Sequence, residues 1–182
     1  MNVTMTDIKK LREMTGAGLS DCKKALAESD DMDGAVAYLR KKGQAVAAKR
    51  SDREAAEGCV LVKVADGFGA IIALKCETDF VANNADFVAL AQQILDAAVA
   101  NKCKSLEEVN ALPMGDGTVA DAVTARSGIT GEKMELDGYS YIEGDNICTY
   151  NHMNRNGLCA MVAFNAPVEA EVGKNVAMQD KG

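Results

Sequence analysis

The chain has 182 residues and a formal net charge of −7, with 48% hydrophobic and 4% aromatic residues. The acidic balance argues against a direct nucleic-acid binder, because contacts to phosphates need an excess of Lys and Arg on the contact face. The length suits one domain with a small satellite or two small domains, and the aliphatic composition is typical of a helix-rich protein.

Charge is distributed unevenly along the chain. Residues 1–57 contain 11 basic and 10 acidic side chains, whereas the remaining residues contain 9 basic and 17 acidic ones. The two parts therefore carry +1 and −8, which indicates two modules. We place these modules at 1–45 and 58–182, joined by a connector at 46–57 that is rich in alanine and charged residues.

The first module has apolar residues at helical spacing in three short segments, which predicts a compact three-helix bundle. We expect Thr6 and Asp31 to cap the first and third helices. Between the first two helices lies "TGAG", Thr15 to Gly18, where glycines permit the positive φ of a tight turn. The three apolar faces consist of Ile8, Leu11 and Met14, then Cys22, Ala25 and Leu26, then Val36 and Leu39.

The second module mixes strand and helix patterns, so we expect an α+β fold with one antiparallel sheet and helices packed against it. "CVLVKV" and "AIIALKC" flank the turn sequence "ADGFG", which predicts a hairpin. The segments "YSYIEG", "NICTYNHM" and "LCAMVAFNA" predict three more strands, the last two joined at "NRNG". Helices are predicted at 87–98, 119–127 and 169–178.

Few residues point to catalysis or metal binding. The six cysteines have no C-x-x-C spacing, so we interpret them as reduced core residues. His152 lies on a predicted strand without an adjacent nucleophile or acid, and no spacing matches a zinc or calcium site. We expect no cofactor and no enzymatic activity of the chain's own.

The amino-terminal sequence MNVTMTDIKK has no apolar signal segment, and no apolar run approaches a membrane span of about 18 residues. We therefore expect a cytoplasmic protein without a membrane partner.

The most informative stretch is "KCETDFVANN", Lys75 to Asn84, which sets a phenylalanine directly behind an acid at a predicted helix start. Thr78 is a good N-cap and Asp79 favours the first turn. Phe80 then has two interpretations: it packs inward beneath a capped helix, or it stands exposed for a partner.

A second candidate surface lies at one edge of the predicted bundle. Arg12, Leu19 and Lys23 combine cations with an apolar side chain close to the "TGAG" turn. Composition alone supports a partner-binding patch and an ordinary solvated face equally.

Four motifs in order along the chain resemble the bacterial elongation factor Ts family: "LREMTGAGLSDCKKALAES", "LRKKGQAVAAKR", "EAAEG" and "CETDFVANNADF". The resemblance runs from about Ile8 to about Met178. It implies a bundle similar to a ubiquitin-associated domain, followed by the first half of the family's core. It also implies nucleotide exchange on elongation factor Tu, a GTPase.

By resemblance, the T-D-F-V residues insert near the nucleotide site of the GTPase and dislodge its Mg²⁺. We call these residues the TDFV element: Thr78, Asp79, Phe80 and Val81. A surface of the bundle, which we call the bundle patch, would bind the same partner. It consists of Arg12, Gly16, Gly18, Leu19 and Lys23.

The chain also departs from the family pattern, because family members continue into a second half of the core beyond the point where this sequence ends. Gln179 stands where the family usually has a histidine. We expect uncovered strand edges and apolar helix faces, and with them some self-association. The competing class of function is a scaffold module that binds a partner without altering its nucleotide.

Overall fold

A computed structural model describes residues 3–15, 17–49, 53–152 and 156–179. The helices are α1 (Met5–Thr15), α2 (Leu19–Ala27), α3 (Met32–Lys49), α4 (Asp79–Ala82), α5 (Ala85–Ala100), α6 (Leu106–Ala111), α7 (Val119–Thr130) and α8 (Ala170–Gln179). The strands are β1 (Glu57–Ala65), β2 (Phe68–Cys76), β3 (Pro113–Met114), β4 (Gly117–Thr118), β5 (Glu135–Glu143), β6 (Ile147–Asn151) and β7 (Cys159–Ala163). The predicted α+β class, with helices first and an antiparallel sheet after them, is confirmed.

Helices α1, α2 and α3 enclose a small apolar core of their own. Its buried residues are Ile8, Leu11, Ala17, Cys22, Ala25, Leu26 and Ala35. The predicted position of Met14 on this face is wrong, because its side chain is 53% exposed. The likeness to a ubiquitin-associated domain stays a prediction.

The capping residue of α1 differs from the prediction. Thr4, not Thr6, pairs with Asp7: the Asp7 amide donates to Thr4 Oγ1 at 3.2 Å and the Thr4 amide donates to Asp7 Oδ2 at 3.1 Å. This exchange needs an acid three residues after the cap, and Thr6 is followed at that spacing by Lys9. The predicted cap of α3 is confirmed, since Asp31 Oδ1 accepts from the Gly34 amide at 2.6 Å.

Helix α3 continues through the predicted domain boundary at residue 45 and ends at Lys49. Its second half packs closely on α7, where both helices present glycine. A Cβ built on Gly128 would lie only 3.0 Å from the Cα of Gly43, so a larger residue would have to push the two helices slightly apart. The division into separate domains stays a prediction, but α3 packs against α1 and α2 of the first module and against α7 of the second.

The main sheet has the order β1-β2-β5, with both pairings antiparallel. Asp66 and Gly67 form the predicted hairpin turn with φ of 53° and 72°, the left-handed pair that a two-residue hairpin turn requires. Helix α5 packs across β1 and β2. The largest fully buried side chains at this contact are Phe68, Ile72 and Leu74 from β2 and Phe87, Ile94 and Leu95 from α5.

Strands β6 and β7 form a separate two-stranded sheet, so the expectation of one sheet is wrong. Strands β3 and β4 form a further short pair. Helix α8 lies on β6, close enough that a Cβ on Gly173 would clash with the Cys148 side chain. The strand patterns predicted these longer strands and the pairings β1–β2 and β6–β7, but not the division into separate sheets or the short β3–β4 pair.

All six cysteines are free; Cys148 and Cys159 are half-buried and the other four are buried, so the core position is confirmed for four of them. None of the helices in the described part of the chain has the length and apolarity that a membrane crossing needs.

Candidate functional site

The TDFV element forms the start of α4, a helix of four residues. Thr78 is the N-cap, as predicted: its backbone is extended, and its Oγ1 accepts from the Val81 amide at 3.4 Å. Asp79 stands in the first turn, where a carboxylate complements the positive end of the helix. The sequence signals for this helix start are confirmed.

Phe80 is 87% exposed, whereas Phe68 and Phe87 are fully buried. The inward-packing alternative for Phe80 is therefore wrong. The next two residues, Val81 and Ala82, pack against the main core instead. One turn of helix thus fixes its base in the core and presents an apolar ring to solvent.

The backbone that leads into α4 is held by Glu132, which lies just beyond α7. Its Oε1 accepts from the amides of Glu77 and Thr78 at 3.1 and 3.0 Å, and its Oε2 accepts from the Thr78 hydroxyl at 2.7 Å. In return, Glu77 Oε1 accepts from the Lys133 amide at 2.6 Å. The two segments therefore exchange backbone-to-carboxylate hydrogen bonds.

A buried thiol supports the same turn. Burial, reinforced by the carboxylate of Glu132, raises the pKa of the Cys76 thiol to about 11. The thiol is therefore protonated near neutral pH and can donate to the carbonyl oxygen of Thr78, 3.3 Å from Sγ.

The two asparagines after the element fix the joint between α4 and α5. Asn83 donates from its side chain to the carbonyl oxygen of Asp79 at 2.8 Å. Asn84 caps α5 by accepting from the Asp86 amide at 3.0 Å, and Arg126 of α7 donates to the same Asn84 oxygen at 3.2 Å. Glu132, directly after α7, and Arg126, within it, therefore bond to residues on the two sides of α4.

The bundle patch lies on α1 and α2, which are longer helices than the single turn of α4. Leu19 is 45% exposed and Lys23 is exposed one turn further along α2, so the two side chains are neighbours on one helix face. Arg12 is exposed on α1. Gly18 is the exposed N-cap of α2 with φ of −62°, so its predicted positive φ is wrong, and Gly16 lies outside the described residues.

An enzymatic function would have to rest on His152 or a cysteine. His152 Nδ1 lies 3.1 Å from the Tyr150 hydroxyl, and burial raises the pKa of the Cys59 thiol to about 11, which makes it a poor nucleophile. Within the described ranges, no cluster of three or more His, Cys, Asp or Glu side chains could hold a metal ion. The arrangement can instead present one apolar ring on a rigid turn.

Glu132 is the residue that sequence reasoning missed. The only nearby signal is Gly131, which ends α7 with φ of 79° and is a helix stop that can be read from sequence. Nothing in the local pattern indicates that the next side chain reaches a segment 54 residues earlier.

Comparisons with known proteins cover almost the whole chain. Residues 77–180 match the family model described as Elongation factor TS. Over 180 residues, 98% of this chain, it is 73% identical to elongation factor Ts of Bacteroides fragilis and 67% identical to that of Bacteroides thetaiotaomicron. Identity to elongation factor Ts of Porphyromonas gingivalis is 56% over 181 residues.

The matched region accounts for 54% of each Bacteroides protein and 66% of the Porphyromonas protein, so the chain spans about half the length of the first of these curated relatives. The family model begins at Glu77, within the turn that Glu132 holds, and reaches past the end of α8. Together with the motifs at both candidate surfaces, these matches show that the chain belongs to the elongation factor Ts family.

Proposed function

We propose that this chain acts in translation elongation as a guanine-nucleotide exchange factor, which binds elongation factor Tu in its GDP-bound form and promotes GDP release. The observation that carries the proposal is the 87% exposure of Phe80 on a short helix. The two residues before this helix, Glu77 and Thr78, are held by hydrogen bonds from their amides to Glu132. Aromatic side chains are enriched at protein–protein interfaces, so an exposed ring on a turn that is held in place is a candidate partner contact.

The mechanism follows from what holds GDP in a GTPase. The diphosphate is bound largely through Mg²⁺ and the loop around the β-phosphate. An apolar ring inserted between the elements that frame this site would displace them and with them the ion. Val81 would anchor the turn in this chain's core while Phe80 enters the partner, so the Mg²⁺ belongs to the partner and this chain needs no cofactor.

Exchange by this route needs no bond-making chemistry. The factor accelerates release because it binds the nucleotide-free GTPase more tightly than the GDP-bound form. The coupling is reciprocal, so nucleotide binding to the GTPase in turn weakens its affinity for the factor, which then dissociates.

The bundle patch would supply a second contact with the same GTPase. Leu19 offers apolar area, while Lys23 and Arg12 offer positive charge on the one part of the chain that is not strongly acidic. Two linked contacts reinforce each other through effective concentration. The proposal includes no direct nucleic-acid contact and assigns the work to the cytoplasm, where translation takes place.

The test is GDP release from purified bacterial elongation factor Tu loaded with fluorescent GDP, followed with and without this chain. We expect release to accelerate with the concentration of the chain and then to saturate. Binding that leaves the release rate unchanged would refute exchange and favour the scaffold function, for which exposure of Phe80 is not required.

A further inference from the structure

We propose that Glu132 is a positioning residue for nucleotide exchange, which fixes α4 so that Phe80 is already in place before the partner is met. The inference rests on the proposed function and assigns part of it to a side chain that never needs to touch the GTPase. Its basis is the use of both Glu132 carboxylate oxygens on the two residues that precede α4.

Helix α4 is too short to be stable on its own. A single turn fixes several backbone dihedrals in return for very few internal hydrogen bonds, so nucleation is unfavourable. The turn must therefore be held from outside. Val81 and Ala82 hold its end against the core, and Glu132 holds its beginning by accepting from two consecutive amides.

The Thr78 hydroxyl links the Glu132 carboxylate to the first turn of α4. It donates to Glu132 Oε2 at 2.7 Å and accepts from the Val81 amide at 3.4 Å. One hydroxyl can do both, since it has one proton and two lone pairs. The Glu132 carboxylate therefore fixes the orientation of the same group that caps α4.

Glu132 is itself rigidly placed by the end of α7. The Ser127 side chain, only 2% exposed, donates to the backbone carbonyl of Glu132, and the Glu132 amide donates to Thr130 Oγ1 at 3.3 Å. Gly131 takes the left-handed conformation that turns the chain toward α4. The start of α4, which carries Phe80, is thus held by the segment that ends α7.

The consequence for exchange is kinetic. A turn that is ordered beforehand does not have to lose conformational entropy when Phe80 inserts, and pre-organisation of this kind lowers the cost of binding. Insertion accompanies GDP release, whereas first contact with the GTPase can use the bundle patch. Loss of Glu132 should therefore reduce the maximal release rate more than the affinity of first contact.

The experiment compares the native chain with Glu132→Ala, Glu132→Gln and Thr78→Val in titrations of GDP release from elongation factor Tu. Glu143→Ala is the matched control, because it removes the same charge from an exposed position at the opposite end of β5. Amide hydrogen exchange at residues 77–83 and thermal unfolding are measured on the same free chains.

For Glu132→Ala we expect the maximal release rate to fall about tenfold, since small misplacements of a positioned group cost about that much or more. The half-saturating concentration should change less than about twofold, because the bundle patch remains intact. The amides of Glu77 and Thr78 should exchange faster. Glu132→Gln should recover most of the rate, because its amide oxygen can still accept from both backbone donors.

Three outcomes overturn the inference. One is an unchanged maximal rate in Glu132→Ala while the native chain is active, and this leaves the proposed function standing. Another is a loss of release rate that is fully accounted for by the fraction of Glu132→Ala that is unfolded. If Glu132→Ala does not fold at all, Thr78→Val is used instead, and a normal release rate in that variant contradicts the positioning role. A native chain that releases no GDP overturns the proposed function and the inference together.

Discussion

The TDFV element and the bundle patch expose their side chains in physically different ways. Phe80 stands on a four-residue helix whose entry is held by Glu132, a residue distant in sequence. Leu19 and Lys23 stand on the nine-residue α2, whose inner face is buried within the bundle. The first surface depends on long-range geometry and the second on a locally stable helix, so substitutions should affect the rate of exchange at one and the strength of binding at the other.

The largest effect is expected from Phe80→Ala. An exposed side chain contributes little to its own fold, so the unfolding free energy should change by less than about 0.5 kcal/mol. The exchange rate should fall about 30-fold, which corresponds to loss of a binding hot spot of about 2 kcal/mol. GDP-release titrations and thermal unfolding measure the two quantities.

Two controls define this result. Val172→Ala removes apolar atoms from another exposed position, 49% exposed on α8, and should leave exchange unchanged. Phe87→Ala truncates a fully buried ring and should cost about 3–5 kcal/mol of stability. A stability loss of that size in Phe80→Ala would contradict the assignment of Phe80 to a partner surface.

A smaller effect is expected from the double variant Leu19→Asp with Lys23→Glu in the bundle patch. Charge reversal and loss of apolar area should raise the half-saturating concentration about tenfold, or about 1.4 kcal/mol, with the maximal release rate unchanged. Titration of GDP release separates the two parameters.

The matched control is Met5→Asp with Lys9→Glu, which makes the same two changes one turn apart on α1. Met5 is 63% exposed and Lys9 is exposed, so the change in charge and solvation is equivalent. Equal weakening by both double variants would mean that net charge, not the bundle patch, determines affinity. Deletion of the whole bundle is a poorer test, because removing α3 would uncover the face of α7 at Gly128.

Local signals in the sequence were enough for much of this architecture. Apolar spacing predicted α5, the pair Asp66 and Gly67 predicted the hairpin, and Thr78 predicted the start of α4. Each of these features is decided by interactions within a few residues. The error at Thr6 arose because Thr4 offers the same cap two residues earlier, and Asp7 determines which of them is used.

The features that sequence reasoning missed depend on distant partners. Strand patterns give no information on pairing across a long loop, so the sequence did not show that β5 joins β2 while the β6–β7 pair forms a sheet of its own. The approach of Gly43 to Gly128 and the reach of Glu132 to Thr78 each join segments that no short pattern relates. The helix start at the TDFV element could be predicted, but the contacts that hold it could not.

The smallest effects should come from two capping carboxylates, one in each region. Asp7 accepts from Thr4 at the start of α1, and Asp121 accepts from Thr118 at the start of α7. Hydrogen bonds from the Thr4 side chain and backbone lower the pKa of Asp7 below its ordinary value of 3.8, and those from the Thr118 backbone and side chain do the same to the pKa of Asp121. A lowered pKa in the folded state means stability that is present above pH 3.8 and lost as the pH falls through the folded-state pKa.

Asp7→Asn and Asp121→Asn should each lower the thermal midpoint at pH 7 by about 1–3 °C, because a weakened cap costs a modest part of helix stability. The difference from the native chain should shrink as the pH falls through the lowered folded-state pKa of each carboxyl. A difference that stayed constant over the whole acid range in which the chain remains folded would contradict charge as its cause. The two variants should differ in exchange. Asp7→Asn loosens the bundle and should raise the half-saturating concentration, whereas Asp121→Asn loosens the helix that leads to Glu132 and should lower the maximal rate. Each change should stay within about twofold, since the substitution leaves most of the capping geometry in place.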